Sequence, residues 1–233
     1  MILRFFCPVV LVLAGVFAAI GQSPSGPVYG ILVDNTGSLR LEIANERALA
    51  KEIVATTNGS AYSLFRFETD RSPGSKNAVF MPVVNCSHDR DLVLKEIAGL
   101  YTLGGQTTLS EAIKTAAERL QVTSNGCGDS PNRNLIVISD GDDRTSSTTL
   151  DELVEFLKGS GIKVFAVGLV DHFWDAKGQV TEAAQAPYKN YLERITSATG
   201  GKAVFPEKGA AASDVIKKLF EAPEKSVKGK HSD

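Results

Sequence analysis

The stretch from Val28 to Ser38, VYGILVDNTGS, decides the fold predicted for this chain. Its first six residues are mainly apolar and have the length of a strand, and Asp34 follows where that strand ends. An apolar run without alternation is typical of a strand buried on both faces, as in a parallel sheet covered by helices. We therefore expect a central strand that brings a polar loop, DNTGS, to the edge of a sheet.

A second strand of the same kind is predicted at Leu135 to Ile138, LIVI, and it is also followed by a polar loop, SDGDD at 139–143. Outward from these two strands, strand-like and helix-like segments alternate along the chain. The other strands are predicted at 61–67, 79–84, 162–169 and 203–205, and the helices at 39–56, 89–100, 109–122, 150–157, 187–198 and 211–220.

This alternation of strands and helices indicates an α/β fold. We predict a three-layer sandwich with a mostly parallel central sheet and helices on both faces. The exception is Val79 to Val84, which follows a polar hairpin loop and contains Pro82, so it is predicted to be an antiparallel edge strand. In open sheets of this kind, ligands bind outside the carboxyl ends of the strands, at the point where the strand order reverses.

The two ends of the chain differ in character from its middle. Residues 1–21 combine a positive charge, an apolar run and small residues before Gly21, which is typical of a secretory signal peptide cleaved after Gly21; a short membrane anchor is the alternative. Residues 222–233 form a polar, lysine-rich tail, so one domain is expected over 28–221. No other segment is long and apolar enough to cross a bilayer. We expect an exported protein, periplasmic or extracellular, without a transmembrane segment in the mature chain.

The composition agrees with one exported domain. The chain has 233 residues, of which 43% are hydrophobic, and this is enough to bury a sizeable core. A formal net charge of -2 provides no basic face for nucleic acid. Removal of the signal peptide would leave Cys86 and Cys127, either as one disulfide or as two free buried thiols.

Three polar segments are predicted to meet at one edge of the sheet: DNTGS at 34–38, GGQTT at 104–108 and SDGDD at 139–143. They offer carboxylates and hydroxyls, without cysteine or histidine. Such an all-oxygen set favours a hard cation, Mg²⁺, Mn²⁺ or Ca²⁺, over zinc. The alternate spacing of Asp34, Thr36 and Ser38 lets their side chains point to one side of a tight loop. Two aspartates would neutralise a divalent ion and leave a coordination position open to another molecule's carboxylate.

In this order, the three segments resemble the metal-ion-dependent adhesion site of von Willebrand factor type A domains. The family pattern is Asp-x-Ser-x-Ser, then a Thr, then an Asp. The matching ligand candidates in this chain are Asp34, Thr36, Ser38, Thr107 and Asp140. Thr36 departs from the pattern, which has Ser there, and Thr108 is the alternative to Thr107. The resemblance extends over 28–221, and VYGILVDNTGSLR, GGQTTLSEAI, LIVISDGDDRTSS and VFAVGL are similar to the type A domains of secreted acidobacterial proteins.

The resemblance implies a function as well as a fold. It implies a binding domain, not an enzyme, that holds Mg²⁺ (or Mn²⁺ or Ca²⁺) and binds a carboxylate of a protein or peptide partner through that ion. Candidate contacts to the metal or to the partner around the site are Thr108, Asp142, Asp143, Arg144, His172 and Trp174. The family topology also places Cys86 and Cys127 together at the edge opposite the metal, and it therefore implies a disulfide between them.

Two other functions remain alternatives. A scaffold or interaction domain of an envelope complex would use another face and need no metal, and a domain that kept the fold but lost the ion belongs to this class. A phosphatase of the haloacid dehalogenase class also has an Asp after its first strand. It requires a second Asp two residues later, however, where this chain has Thr36.

Overall fold

The computed structural model describes residues 26–69, 78–102, 104–122, 127, 129–174 and 176–221. The predicted signal peptide and the polar tail lie outside the described residues, as does most of the predicted hairpin loop before Val79. None of the helices within the described ranges has the length and apolar character needed to span a membrane.

A mixed sheet forms the middle layer. Its strands are β1 Val28–Asp34, β2 Ala61–Thr69, β3 Ala78–Ser87, β4 Arg133–Ser139, β5 Ile162–Gly168 and β6 Ala203–Val204. They lie side by side in the order β3-β2-β1-β4-β5-β6. Every neighbouring pair is parallel except β2 and β3, which are antiparallel. The predicted sheet, mostly parallel with one antiparallel edge strand, is therefore confirmed.

Helices cover both faces of this sheet. They are α1 Ile43–Thr56, α2 Arg90–Ala98, α3 Leu109–Gln121, α4 Leu150–Ser160, α5 Glu182–Ser197 and α6 Ala212–Phe220. One hydrophobic core lies between the sheet and α3, α4 and α5, and the other lies between the sheet and α1, α2 and α6. Leu32 belongs to the first core, whereas Ile31 and Val33 belong to the second. The predicted three-layer sandwich is confirmed, with β1 buried on both faces.

The strand order reverses beside β1. The next strand along the chain, β2, pairs with one side of β1, and β4 pairs with the other. At such a switch point the connections leave toward opposite faces, and a crevice opens at the carboxyl ends of the strands. The register sets Val33 beside Ile138, so the loops that follow β1 and β4 begin next to each other.

Two helices begin several residues away from their predicted starts. α5 begins at Glu182, before the predicted start at Pro187, because the Thr181 hydroxyl accepts a hydrogen bond from a backbone N–H of its first turn at 3.2 Å. Pro187 lies inside the helix, where its ring nitrogen cannot donate a backbone hydrogen bond. α1 begins at Ile43 rather than Leu39, since the residues between them form turns after the first polar loop.

Cys86 and Cys127 form a disulfide, with their Cα atoms 5.6 Å apart. Cys86 lies near the end of β3, where Ser87 pairs with Tyr62 at the start of β2. The start of β2 in turn lies beside Val28 at the start of β1. The disulfide is therefore at the edge of the sheet opposite the DNTGS loop, and the predicted bond is confirmed. Structural disulfides are typical of proteins that mature in oxidising compartments.

Candidate functional site

Three loops meet at the carboxyl edge of the central strands. The backbone N–H of Gly104 donates to the Asn35 carbonyl oxygen at 3.4 Å, and that of Gly37 donates to the Gly105 carbonyl oxygen at 3.5 Å. Gly104 and Gly105 have φ angles of 81° and 91°, in the region that favours glycine. The two glycines thus let the segment that carries Thr107 turn back against the DNTGS loop.

Three hydroxyl groups converge between these loops. The Thr36 Oγ1 atom lies 3.3 Å from Ser38 Oγ and 3.2 Å from Thr107 Oγ1. Thr36 and Thr107 are buried, whereas Ser38 is exposed, so the cluster reaches solvent at Ser38. The neighbouring Thr108 is also buried, but its hydroxyl has no hydrogen-bonding partner among the described residues. The structure thus brings Thr107, and not Thr108, into contact with the Thr36 hydroxyl.

Two fully buried carboxylates lie at the ends of the central strands. Asp34 accepts hydrogen bonds from the Thr36 backbone N–H at 3.2 Å and from the Ser139 hydroxyl at 2.7 Å, one on each carboxylate oxygen. Asp140 accepts a hydrogen bond from the backbone N–H of Asp142 at 3.0 Å through Oδ1. These bonds fix the orientation of both carboxylates, because each holds a side-chain oxygen against the backbone or a buried hydroxyl.

The second oxygen of Asp140 has a different environment. His172 Nε2 lies 3.2 Å from Asp140 Oδ2, which is within the range of an ion pair. The two atoms are not aligned for a hydrogen bond, and each is buried without a hydrogen-bonding partner among the described residues. The distance would allow an ion pair, but a contact that is not aligned for a hydrogen bond satisfies neither atom. A buried carboxylate oxygen is therefore left for another partner.

The negative charge of Asp140 disfavours the ionisation of Asp34. Burial, and next the like charge of Asp140, raise the pKa of Asp34 to about 7, against the lowering effect of hydrogen bonds from Ser139 and Thr36. A buried pair of like charges is costly without a compensating cation. A bound divalent ion would reverse this balance, since it favours the ionised form of each carboxylate.

Glu46 is a third acid of this region, and the motifs did not indicate it. Its side chain is fully buried on α1, and neither carboxylate oxygen has a hydrogen-bonding partner among the described residues. Burial, followed by the charges of Asp34 and Asp140, raises the pKa of Glu46 well above its ordinary value. A sequence signal does exist: Glu46 precedes Leu49 and Ile53 at helical spacing, so the apolar face of α1 carries one acid.

Of the other residues predicted to contact the metal or the partner, Asp142 and Asp143 have different surroundings. Asp142 is largely buried, and its carboxylate accepts a hydrogen bond from Arg144 Nε at 2.5 Å. Asp143 points to the start of α3, where it accepts hydrogen bonds from the Leu109 N–H at 3.2 Å and from the Ser110 N–H at 3.2 Å. Asp143 thus satisfies backbone donors that a helix start leaves free, and its charge is stabilised there.

A cleft of about 700 Å³ lies beside the hydroxyl cluster. Ser38 and His172 line it on the side of the cluster, and Trp174, 66% exposed, lines its outer part. Leu41, 85% exposed, contributes a second large apolar side chain. Exposed aromatic and aliphatic side chains next to polar groups are typical of binding surfaces.

The residue types at this edge limit how an ion can be held. No group of three or more His, Cys, Asp or Glu side chains, among the residues that the structure describes, is placed to hold a metal ion. Two aspartates and three hydroxyls are nevertheless a suitable donor set for a hard cation, which prefers oxygen. Asp140 Oδ2, which lacks a hydrogen-bonding partner among the described residues, and the three hydroxyls fit such a cation. The hydroxyls are necessary because the described acidic side chains alone do not form a site.

The comparisons with known proteins agree with this architecture. The family model of the von Willebrand factor type A domain matches residues 31–221. No curated protein sequence matches the chain. Among solved structures, the conserved hypothetical protein BatB from Bacteroides thetaiotaomicron is similar, with 17% identity and a TM-score of 0.59 over 83% of this chain and 97% of that chain.

Two further solved structures have the same fold. A von Willebrand factor type A protein from Catenulispora acidiphila is 18% identical, with a TM-score of 0.60 over 84% of this chain and 42% of that chain. Proximal thread matrix protein 1 from the mussel byssus is 18% identical, with a TM-score of 0.63 over 85% of this chain and 48% of that chain. At these identities, the likeness bears on the fold alone. The family model, in contrast, covers most of the sequence, and the chain belongs to the von Willebrand factor type A domain family.

Proposed function

We propose that this domain binds a protein or peptide partner through a divalent cation, Mg²⁺ or alternatively Mn²⁺ or Ca²⁺. The residues that would hold the ion are Asp34, Thr36, Ser38, Thr107 and Asp140. The observation that carries this proposal is the convergence of three hydroxyls beside two buried carboxylates, with Thr36 Oγ1 lying within 3.3 Å of the hydroxyl oxygens of both Ser38 and Thr107. Domains of this family typically serve in protein interaction, and here the same edge of the sheet carries the exposed cleft.

The charges and the exposure of these residues suit a partner with a carboxylate. When bound, the ion would supply a positive charge that two aspartates neutralise without filling every coordination position. Asp34 and Asp140 are fully buried, whereas Ser38 is exposed to solvent. A partner's acidic group can therefore reach the ion from the side of Ser38, and its neighbouring apolar side chains can lie against Leu41 and Trp174 in the cleft.

Substituting the two adjacent threonines tests the ligand set. We expect Thr107→Val to weaken Mn²⁺ binding by about tenfold or more, since one oxygen ligand is lost and tenfold corresponds to about 1.4 kcal/mol. Thr108→Val is the matched control, because Thr108 is equally buried but its hydroxyl lies outside the cluster. Isothermal titration calorimetry with MgCl₂, MnCl₂ and CaCl₂ measures both. Equal affinities for the two variants, or a larger loss with Thr108→Val, would contradict the proposed ligand set.

A second candidate function is a scaffold that binds its partner without metal. The exposed apolar side chains of Leu41 and Trp174 favour it, since they can bind a partner by burial alone. A crosslinking pull-down from the native host, with and without a chelator, separates the two functions. We expect capture of the partner to be lost in the chelator. Capture that is equal in both conditions would instead support the scaffold.

The proposed function includes export of the protein to the periplasm or the extracellular space. The disulfide between Cys86 and Cys127 supports this location, because such bonds persist in oxidising compartments. The resemblance to secreted acidobacterial type A domains stays a prediction from the sequence motifs. We also propose a binding domain rather than an enzyme. Phosphatase turnover that is lost on replacing Asp34 would argue for the enzyme.

A further inference from the structure

We infer that Glu46 is a third carboxylate of the cation site, and that its charge increases the affinity of the site for a divalent ion. This inference rests on the proposed function. Glu46 lies outside the three polar loops, on the helix that follows the DNTGS loop, and the adhesion-site pattern does not include it.

The first observation is the position of Glu46 in the fold. It lies in the first turn of α1, on the helix face that carries Leu49 and Ile53, and these residues pack on the sheet. Its side chain is 0% exposed, although the flanking Asn45 and Arg47 are partly exposed. The helix therefore directs this acid inward, toward the carboxyl edge of the central strands. Its charge interacts with those of Asp34 and Asp140.

The second observation is that the described residues offer no hydrogen-bonding partner to the Glu46 side chain, whether it is ionised or neutral. An ionised carboxylate requires hydrogen-bond donors, and a neutral one requires an acceptor for its O–H. Neither oxygen of Glu46 has a partner of either kind among these residues. Arg47, the nearest cation in sequence, donates its Nη2 group to the Leu100 carbonyl oxygen. Its lowering effect on the pKa of Glu46 is smaller than the raising effects of burial and of the nearby carboxylates.

A divalent cation held by the neighbouring ligands would offset the buried charge of Glu46, and water bound to that cation would donate hydrogen bonds to its carboxylate. Buried polar groups in native proteins are almost always satisfied, and an orphaned one points to a missing water or ion. The described acidic side chains are not placed to chelate an ion by themselves. Glu46 therefore acts from outside the ring of direct ligands, where outer groups tune the affinity of a metal site. With Asp34 and Asp140, it brings three negative charges to one divalent ion.

Two substitutions of Glu46 test this role. Glu46→Gln keeps the shape and removes the charge, and Glu46→Met removes the polar atoms as well. We expect both to weaken Mn²⁺ binding by about tenfold or more in calorimetry. Glu52→Gln is the matched control, since Glu52 is on the same helix and its carboxylate is hydrogen-bonded by the Thr56 hydroxyl at 2.8 Å. The control should bind Mn²⁺ within about twofold of wild type.

Metal-free stability is the second measurement, because a merely structural acid would behave differently. We expect both Glu46 variants to melt in chelator at or above the temperature of wild type, since they lose a buried acid that has no partner. A variant that is unfolded or less stable without metal would overturn the inference, as would variants that bind Mn²⁺ as tightly as wild type. In the latter case the proposed function would stand. If wild type itself binds no divalent ion, the proposed function and the inference both fall.

Discussion

The double substitution Asp34→Asn with Asp140→Asn should abolish measurable binding of Mg²⁺ and Mn²⁺. Both side chains keep their shape, and the amide introduced at position 34 can accept from the Thr36 backbone N–H and donate to the Ser139 hydroxyl, which can reverse its role. What disappears is the negative charge that balances the ion. Wild type should gain about 2.7 kcal/mol of stability when the ion is present at 100 times its dissociation constant. The variant should gain nothing, and thermal unfolding with and without MgCl₂ measures the difference.

The same variant should alter the pH dependence of stability in the metal-free protein. The pKa of Asp34 is raised from 3.8 to about 7 in the folded state. Between these two values the folded protein therefore keeps a proton that the unfolded chain releases, so its contribution to stability falls as the pH rises. The unfolding free energy of wild type, compared with the variant, should decline through this window. A difference that grows with pH would contradict the raised pKa.

Asp143→Asn serves as the control for both measurements. Asp143 belongs to the same SDGDD loop, but its carboxylate binds backbone donors at the start of α3. We expect this variant to lose about 1 kcal/mol of stability, the usual cost of weakening a helix cap, and to bind Mg²⁺ like wild type. Loss of ion binding in the control would mean that the whole loop had moved, and that the aspartate pair had not been tested.

Loss of the disulfide should have the largest effect on stability. The bond between Cys86 and Cys127 joins residues 41 positions apart. For a loop of this size, the entropy removed from the unfolded chain corresponds to about 4 kcal/mol. Cys86→Ala with Cys127→Ala should therefore lower the melting temperature by about 10 °C in a domain of this length. Scanning calorimetry of the variant and of oxidised wild type measures the shift.

Ion binding should survive this change, because the disulfide and the hydroxyl cluster lie at opposite edges of the sheet. Wild type treated with a reductant is the natural control and should melt together with the variant. If oxidised and reduced wild type melt at the same temperature, the bond contributes nothing to stability. If Mn²⁺ affinity falls with the bond, the two edges are coupled through the sheet.

The central strands are predictable from the sequence because their residues are apolar and indicate burial on both faces. A short apolar run between polar loops, such as Leu135 to Ile138, can be buried on both faces only in a covered sheet. The disulfide follows once the topology is known, since two chain segments arrive at one edge. The start of α5 is less predictable, because a proline such as Pro187 strongly suggests a helix start, whereas the true N-cap, Thr181, is a weaker sequence signal.

The chemistry of the site is predictable only where it is local in the chain. Asp34 and Thr36 are two residues apart, and their spacing alone indicates a shared loop. The meaning of Glu46 depends on carboxylates from two other segments, and sequence spacing does not reveal such a juxtaposition. Asp143 is the converse case: it neighbours Asp140 in sequence, yet a hydrogen bond to Ser110 turns it toward α3.

The disulfide also closes part of the chain into a covalent ring. The ring runs from Cys86 through α2 and α3 to Cys127, and it contains Thr107. A protease that cuts one peptide bond inside the ring would leave a single covalent molecule, with the threonine still tethered on at least one side to the disulfide. The two fragments would separate only on reduction and unfolding. The bond thus keeps the chain in one covalent piece after a single cleavage between Cys86 and Cys127.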